Sequence, residues 1–160
     1  MGIKKLVGTA SLAGITMLAA AAAPAQASGL HWFQGQTPTV TLNGSTVNAT
    51  GEVAGAGTSI VVTLTVNFTY PVSCFNPGKD KGPVPGQSQS GSSFTQTPPI
   101  PAVHGNASFN LSEPVLTPTA PASACPNGGW TATAGPLTIT SATVSITSSN
   151  GGSLSYTQNF

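Results

Sequence analysis

Hydrophobic and polar residues alternate along most of this chain, with the period of a β-strand that buries one face. The longest alternating run is IVVTLTVNFTY, whose apolar phase holds Ile60, Val62, Leu64, Val66, Phe68 and Tyr70. Successive side chains of a strand point to opposite faces, so the run predicts a half-buried strand over residues 60–70.

Two shorter runs, TVTL and STVNATGEV, precede this strand and are separated by Asn43-Gly44. This dipeptide tolerates the positive φ angles of a two-residue type I′ turn, so the two runs are predicted to pair as an antiparallel hairpin. The sequence AGAG at 54–57 predicts the turn that leads into the long strand.

The C-terminal third repeats the pattern. WTATA alternates, and Gly135-Pro136 then breaks the strand. In LTITSATVSITSS the apolar phase changes by one residue near Ser141, which predicts a β-bulge there. The last run, LSYTQNF, is expected to direct Leu154, Tyr156 and Phe160 at the core.

With ASFNL these runs give about seven strands, and no segment has a helical period. Short strands joined by Gly and Asn turns predict an all-β fold, a two-sheet antiparallel sandwich of about seven strands. A small open β-barrel is the alternative.

The exception is the segment 71–105, rich in Pro, Gly and Ser, which we expect to form a long loop with one short strand near residues 93–95. Its stretch FNPGKDKGPVPG holds Lys79, Asp80 and Lys81. We expect these charges at a loop tip, where water solvates them, because burying a charge in the core of a sandwich is costly. The alternative hypothesis is a recognition loop, as in a protease-inhibitor-like module.

Residues 1–27 have the form of a secretory signal peptide: a basic start, an apolar stretch over 6–23 and the small-residue sequence AQA at 25–27. Cleavage is predicted between Ala27 and Ser28, leaving residues 28–160 as a single domain. We expect a protein that is secreted, extracellular or associated with the cell wall, without a membrane span after cleavage.

The segment beyond the leader has 37 Ser or Thr residues and no Arg. Its five charged residues are Glu52, Lys79, Asp80, Lys81 and Glu113. Binding to nucleic acid or anionic lipid requires clustered Lys and Arg, so this composition excludes both classes of partner. Low charge also leaves self-association possible.

Two cysteines, Cys74 and Cys125, occur in this segment. In an oxidising compartment an even pair predicts one disulfide, here closing a loop of about 50 residues. A redox role is not expected, because the C-x-x-C spacing is absent.

Catalytic and metal-binding groups are few and scattered. The two histidines, His31 and His104, lie on different segments from the acids, so no triad or paired-carboxylate site is predicted. The spacing fits neither a zinc nor a calcium site. We therefore predict no enzyme activity, no bound metal and no cofactor.

An aromatic cluster remains near the start of the mature chain, at His31, Trp32 and Phe33. Exposed aromatic rings can stack on a sugar, so these residues are the candidate ligand contacts of a glycan-binding module. The alternative is that they cover a strand edge.

The chain resembles an immunoglobulin-like sandwich in strand number and in having one Cys pair with a nearby Trp. Trp130 follows Cys125 instead of lying between the cysteines, and Ser123 stands where that family has a Tyr, so the resemblance implies general architecture only. In leader style and Thr/Ser composition the whole chain is also similar to small secreted proteins of high-GC Gram-positive bacteria, a resemblance that implies no active site.

Together these observations predict an exported, non-catalytic structural or interaction protein at or outside the cell envelope. Its expected partner is an unknown protein or polysaccharide at the cell surface. The alternative is a small glycan-binding, cell-wall-binding or protease-inhibitor-like module.

Overall fold

The alternating runs form antiparallel strands in the computed structural model, which describes residues 29–78 and 83–160. Strands make up 59% of the structure and helix 5%, and the described residues form no closed barrel. The prediction of an all-β sandwich is confirmed. The strands are β1 (His31–Trp32), β2 (Thr39–Asn43), β3 (Thr46–Ala54), β4 (Ser59–Tyr70), β5 (Val72–Phe75), β6 (Val84–Pro85), β7 (Gln89–Gln96), β8 (Ile100–Pro101), β9 (Ala107–Pro114), β10 (Thr131–Ala134), β11 (Thr138–Ser148) and β12 (Ser153–Asn159). There are twelve strands instead of the expected seven. Several of them are only two residues long, and others are consecutive pieces of one longer strand that is interrupted by a short break.

The front sheet consists of β1, β2, β3 and β9, with β3 at its centre. β2 and β3 form the predicted hairpin, but its turn is shifted by one residue, because Asn43 pairs with Thr46 and the turn residues are Gly44 and Ser45. Gly44 has a φ of 61° and Ser45 has no positive φ. This is the pattern of a type II′ turn, which requires glycine at its first central position. The predicted Asn43-Gly44 turn is therefore wrong.

The back sheet has the order β12-β11-β4-β7, and β8 pairs with the start of β4. The apolar phase of β4 is buried from Ile60 to Tyr70, as predicted. The register between β4 and β11 shifts between Ile139 and Ser141, so the predicted bulge is confirmed. It keeps Ile139 and Ala142 on the buried side despite the change of phase.

The end sheet, β10-β5-β6, continues the back sheet after a break. Pro71 separates β4 from β5, and the predicted break at Gly135-Pro136 separates β10 from β11. The two breaks lie side by side, because the Gly135 N–H donates to the Pro71 carbonyl at 2.8 Å. The antiparallel pairing of β4 with β11 therefore continues across the breaks into the pairing of β5 with β10.

The segment 71–105 is more ordered than expected. It contains β5, β6, β7 and β8 in place of a loop with one short strand. β7, with the sequence QSGSSFTQ, pairs with β4 from Gln89 to Gln96. The short strand predicted near residues 93–95 lies within β7, and β7 is longer than predicted because its pairing partner, not the apolar content of the segment, determines its length.

One apolar cluster fills the space between the front and back sheets. It includes Val47 and Phe109 from the front sheet and Leu64 and Ile146 from the back sheet. Leu154 is half-buried against it, but Phe160 is 46% exposed, so the predicted inward direction of Phe160 is wrong.

The predicted disulfide is confirmed, with the Cα atoms of Cys74 and Cys125 5.6 Å apart. Cys74 lies on β5, and Cys125 follows the 3-10 turn Ala122–Ala124. The bridge therefore attaches the end sheet to the segment that follows the front sheet.

Candidate functional site

A cleft of about 410 Å³ opens on the outer side of the front sheet, where the connection between β1 and β2 leaves the sheet. β1 pairs with Val53 and Ala54 of β3, and β2 begins its pairing at Thr50, so Gly51 and Glu52 have no strand partner on that edge. The cleft lies over this gap. Its lining residues are Phe33, Gln36, Thr37, Thr39, Thr50, Gly51, Glu52, Ser108 and Phe109.

A tight turn at Phe33–Gly35 forms one wall of the cleft. Gln34 and Gly35 have φ angles of 52° and 73°, and the Gln36 N–H donates to the Phe33 carbonyl at 3.0 Å. A positive φ is uncommon for a residue with a side chain, so Gln34 is a locally strained position. The chain leaves the sheet at this turn and returns to it at Pro38, which is buried.

The floor of the cleft is main chain because Gly51 has no side chain. A Cβ atom there would lie 2.8 Å from Cζ of Phe109 and 3.2 Å from Cβ of Pro38. The first distance is too short for any other residue without movement of the ring. Gly51 therefore allows Phe109 to pack directly beneath the cleft.

The lining offers hydrogen-bonding groups beside the ring of Phe33, and the ring of Phe109 lies beneath the floor. Hydroxyls come from three Thr and one Ser, an amide comes from Gln36 and a carboxylate comes from Glu52. Phe33 and Glu52 are both half-buried. The residues that the structure describes include no Lys or Arg, so no positive side chain among them offsets Glu52. This combination suits a neutral ligand with many hydroxyl groups better than an anionic one.

The three candidate ligand contacts, His31, Trp32 and Phe33, occupy different surroundings. Phe33 lines the cleft, whereas Trp32 is half-buried against the apolar cluster between the sheets. His31 is exposed, and its Nδ1 donates to the carbonyl of Gly29 at 2.8 Å. Of these three residues only Phe33 lines the cleft, so it is the one that a ligand in the cleft would contact.

The charged loop falls in the connection between β5 and β6. Lys79, Asp80 and Lys81 lie outside the described residues, as do the predicted leader at 1–27 and its cleavage position at Ala27 and Ser28. Cys74 pairs with Val84 at the base of this connection, so the disulfide anchors it.

The carboxylates of Glu52 and Glu113 lie on opposite faces of the front sheet. Glu52 is opposite the exposed Ser108, whereas Glu113 is buried and is opposite the buried Val47. A glycoside hydrolase needs two carboxyl groups facing one cleft, and these two do not form such a pair.

Residues 29–78 and 83–160 contain no group of three or more His, Cys, Asp or Glu side chains placed to hold a metal ion. Within these ranges no helix has the length and hydrophobicity to cross a membrane.

The cleft itself was not predicted from the sequence. A glycine in the middle of a strand can mark a close approach of backbone or ligand, and Gly51 was the available signal. The position where residues 33–38 leave the sheet depends on the pairing of β1 and β2 with β3, which no local pattern specifies.

Comparisons with protein-family models, with curated proteins and with solved structures found no match to this chain.

Proposed function

We propose that this chain is a non-catalytic interaction protein that acts outside the cell and holds a neutral glycan in the cleft between Phe33 and Glu52. The observation that carries the proposal is the cleft itself, in which hydroxyl, amide and carboxylate groups lie beside the ring of Phe33. Its volume of about 410 Å³ lies within the range of ligand sites in proteins.

The chemistry of the lining supports a glycan over other ligands. Sugar hydroxyls both donate and accept hydrogen bonds, so they match the Thr and Ser hydroxyls and the Gln36 amide. A carboxylate such as Glu52 accepts stronger bonds from them than a neutral group does. The Phe33 ring supplies an apolar surface for the C–H face of a sugar ring.

The disulfide and the leader support an extracellular location. Disulfides persist in oxidising compartments, and Cys74 and Cys125 are joined. The sequence of residues 1–27 has the features of an export signal. A neutral cell-wall or surface polysaccharide would then be accessible to the cleft.

The test measures binding of the purified mature protein to a panel of soluble neutral polysaccharides by titration calorimetry. We expect saturable binding to at least one of them, weakened about tenfold or more by Glu52→Gln, because a hydrogen bond to a charged group contributes about 1.5–3 kcal/mol. Phe33→Ala should weaken binding similarly. Added salt should have little effect, because the ligand carries no charge.

A matched control is Phe94→Ala, which removes an aromatic ring that is 70% exposed on the back sheet, away from the cleft. It should bind as the wild type does. Absence of binding to every polysaccharide, or binding unaffected by the two cleft variants while their melting temperatures stay unchanged, would overturn the proposal.

A further inference from the structure

The outer edge of β12 is open. β12 is the last strand of the back sheet and pairs with β11 along one edge only. In residues 29–78 and 83–160 no strand pairs with its other edge. An unpaired edge of this kind can pair with a strand of another chain.

The hydrogen bonds to β11 show which backbone groups face this edge. The Ser148 N–H donates to the Gly152 carbonyl at 2.9 Å, and the Phe160 N–H donates to the Thr140 carbonyl at 3.1 Å. In an antiparallel pair, successive residues direct their N–H and C=O groups to opposite edges. The even-numbered residues of β12 therefore form the backbone hydrogen bonds with β11. The residues whose N–H and C=O groups point outward are Ser153, Ser155, Thr157 and Asn159.

β12 lacks the features that protect edge strands from pairing. Its sequence, SLSYTQN, has no Lys, no Pro and no charge of any kind. Proteins usually protect an edge with such residues, because charge repels a second strand and Pro removes a donor. Nothing in the sequence of β12 therefore opposes a second strand.

We propose that β12 pairs antiparallel with β12 of a second copy of this chain, on a two-fold axis through Tyr156. In this register Ser153 lies opposite Asn159 of the other copy, and Ser155 lies opposite Thr157. Every outward N–H and C=O group then has a partner. A slip of two residues in either direction leaves one of the four outward residues unpaired in each copy. The dimer joins the two back sheets into one continuous sheet.

The side chains of β12 favour the same register. Leu154 and Tyr156 are half-buried on the inner phase, although one edge of their strand is open. The axis places Tyr156 against its symmetry mate and Leu154 against Gln158, so each copy covers apolar surface of the other. No like charges meet across the axis, because β12 carries none.

The opposite edge of the back sheet offers less to a partner. On β7 the Thr97 N–H donates to the Val62 carbonyl at 2.9 Å, which fixes the even-numbered residues of β7 as the outward ones. The inner phase of β7 carries Gln89, Gly91, Ser93 and Thr95, with no apolar side chain larger than a methyl group. A second strand there would cover apolar surface only at Phe94, on the outer phase, and none on the inner phase.

The pairing involves a single strand from each copy, so the interface is at the small end of protein interfaces and the dimer should dissociate on dilution. The proposal is independent of the glycan cleft, which lies on the front sheet. Self-pairing and ligand binding can therefore be measured separately.

The experiment is sedimentation velocity of the mature protein over a range of concentrations, with a matched pair of proline variants. Ser155→Pro removes one outward N–H of β12, and Ser92→Pro removes one outward N–H of β7, so neither breaks a bond within the sheet. We expect a concentration-dependent dimer for the wild type and for Ser92→Pro, and a monomer for Ser155→Pro. A wild-type monomer at every concentration, or a dimer abolished by Ser92→Pro and kept by Ser155→Pro, would overturn the proposal.

Tyr156→Cys tests the register. Opposite residues at a non-hydrogen-bonded position have Cα atoms about 4.5 Å apart, which is within reach of a disulfide. Under mild oxidation Tyr156→Cys should form a covalent dimer, whereas Ser153→Cys, which lies opposite Asn159 of the other copy, should not. Cross-linking of both variants to the same extent would contradict the two-fold axis at Tyr156, and the melting temperature of each variant reports whether it has folded.

Discussion

Opening the disulfide ring should remove a large part of the stability of this fold. Cys74 and Cys125 are separated by 51 residues. The chain-entropy relation for a loop of that length gives a stabilisation of about 4 kcal/mol at 25 °C. For a domain of this size such a loss corresponds to a fall in melting temperature of roughly 15 °C. The ring has this effect because it limits the conformations of the unfolded chain.

The assay is urea unfolding of three samples, followed by circular dichroism: the oxidised wild type, the reduced wild type and the double variant Cys74→Ala, Cys125→Ala. Reduction opens the ring but keeps both sulfur atoms, so it isolates the effect on the unfolded chain. The double variant also loses sulfur atoms that are buried in the folded protein. We expect both opened forms to show a larger urea m-value, because the open unfolded chain exposes more surface.

The result that would refute this reasoning is a reduced protein whose free energy of unfolding lies within about 1 kcal/mol of the oxidised form. The ring would then constrain the unfolded chain far less than the loop model requires. A large loss in the double variant alone would assign the stabilisation to packing of the sulfur atoms instead.

Two further predictions concern packing inside the sandwich. Gly91→Ala should lower the free energy of unfolding by about 1–3 kcal/mol in urea titration, because its Cβ would lie 2.7 Å from Cζ of Phe68; unchanged stability would mean that the ring moves aside freely. Ile146→Ala, at a fully buried position, should cost about 2–5 kcal/mol by the same titration. Its control Thr147→Ala, on the exposed phase of β11, should stay within about 0.5 kcal/mol, and equal losses in the two variants would contradict the assigned phases.

The features that were predicted correctly depend on the alternation of side chains within one strand. The apolar phase from Ile60 to Tyr70 identified the buried face of β4, and the change of phase near Ser141 identified the bulge in β11. Both signals are local, because a strand must present its apolar side chains to one face whatever its neighbours are.

The features that were missed depend on partners distant in sequence. Only residues 93–95 of β7 were predicted to form a strand. Its full length, which contains hardly any apolar residues, forms because β4 supplies a paired edge and because Gly91 leaves room for Phe68. The turn after β2 was misplaced by one residue because Asn43-Gly44 and Gly44-Ser45 both provide a glycine with positive φ. Only the register of the finished hairpin distinguishes them.

The candidate site illustrates the same limit. Phe33 was among the aromatic residues singled out from the sequence, but its separation from Trp32 follows from the short strand β1, which turns Trp32 toward the core. Glu52 was counted only as one of a few acids. Its place beside Phe33 results from the gap between β1 and β2 on the edge of β3.

The pairing of β4 with β11 also has a consequence for folding kinetics. Their paired residues are far apart in sequence, from Thr69 with Thr138 at one end of the ladder to Ile60 with Ser148 at the other. Contacts of such high order form slowly, because the chain between them must be confined before any hydrogen bond is gained. Until residues 138–148 are available, β4 can pair only with the strands on its other edge, so half of its backbone groups remain without their final partners. We therefore expect the arrival of β11, and not the formation of any hairpin, to limit the rate at which this sandwich folds.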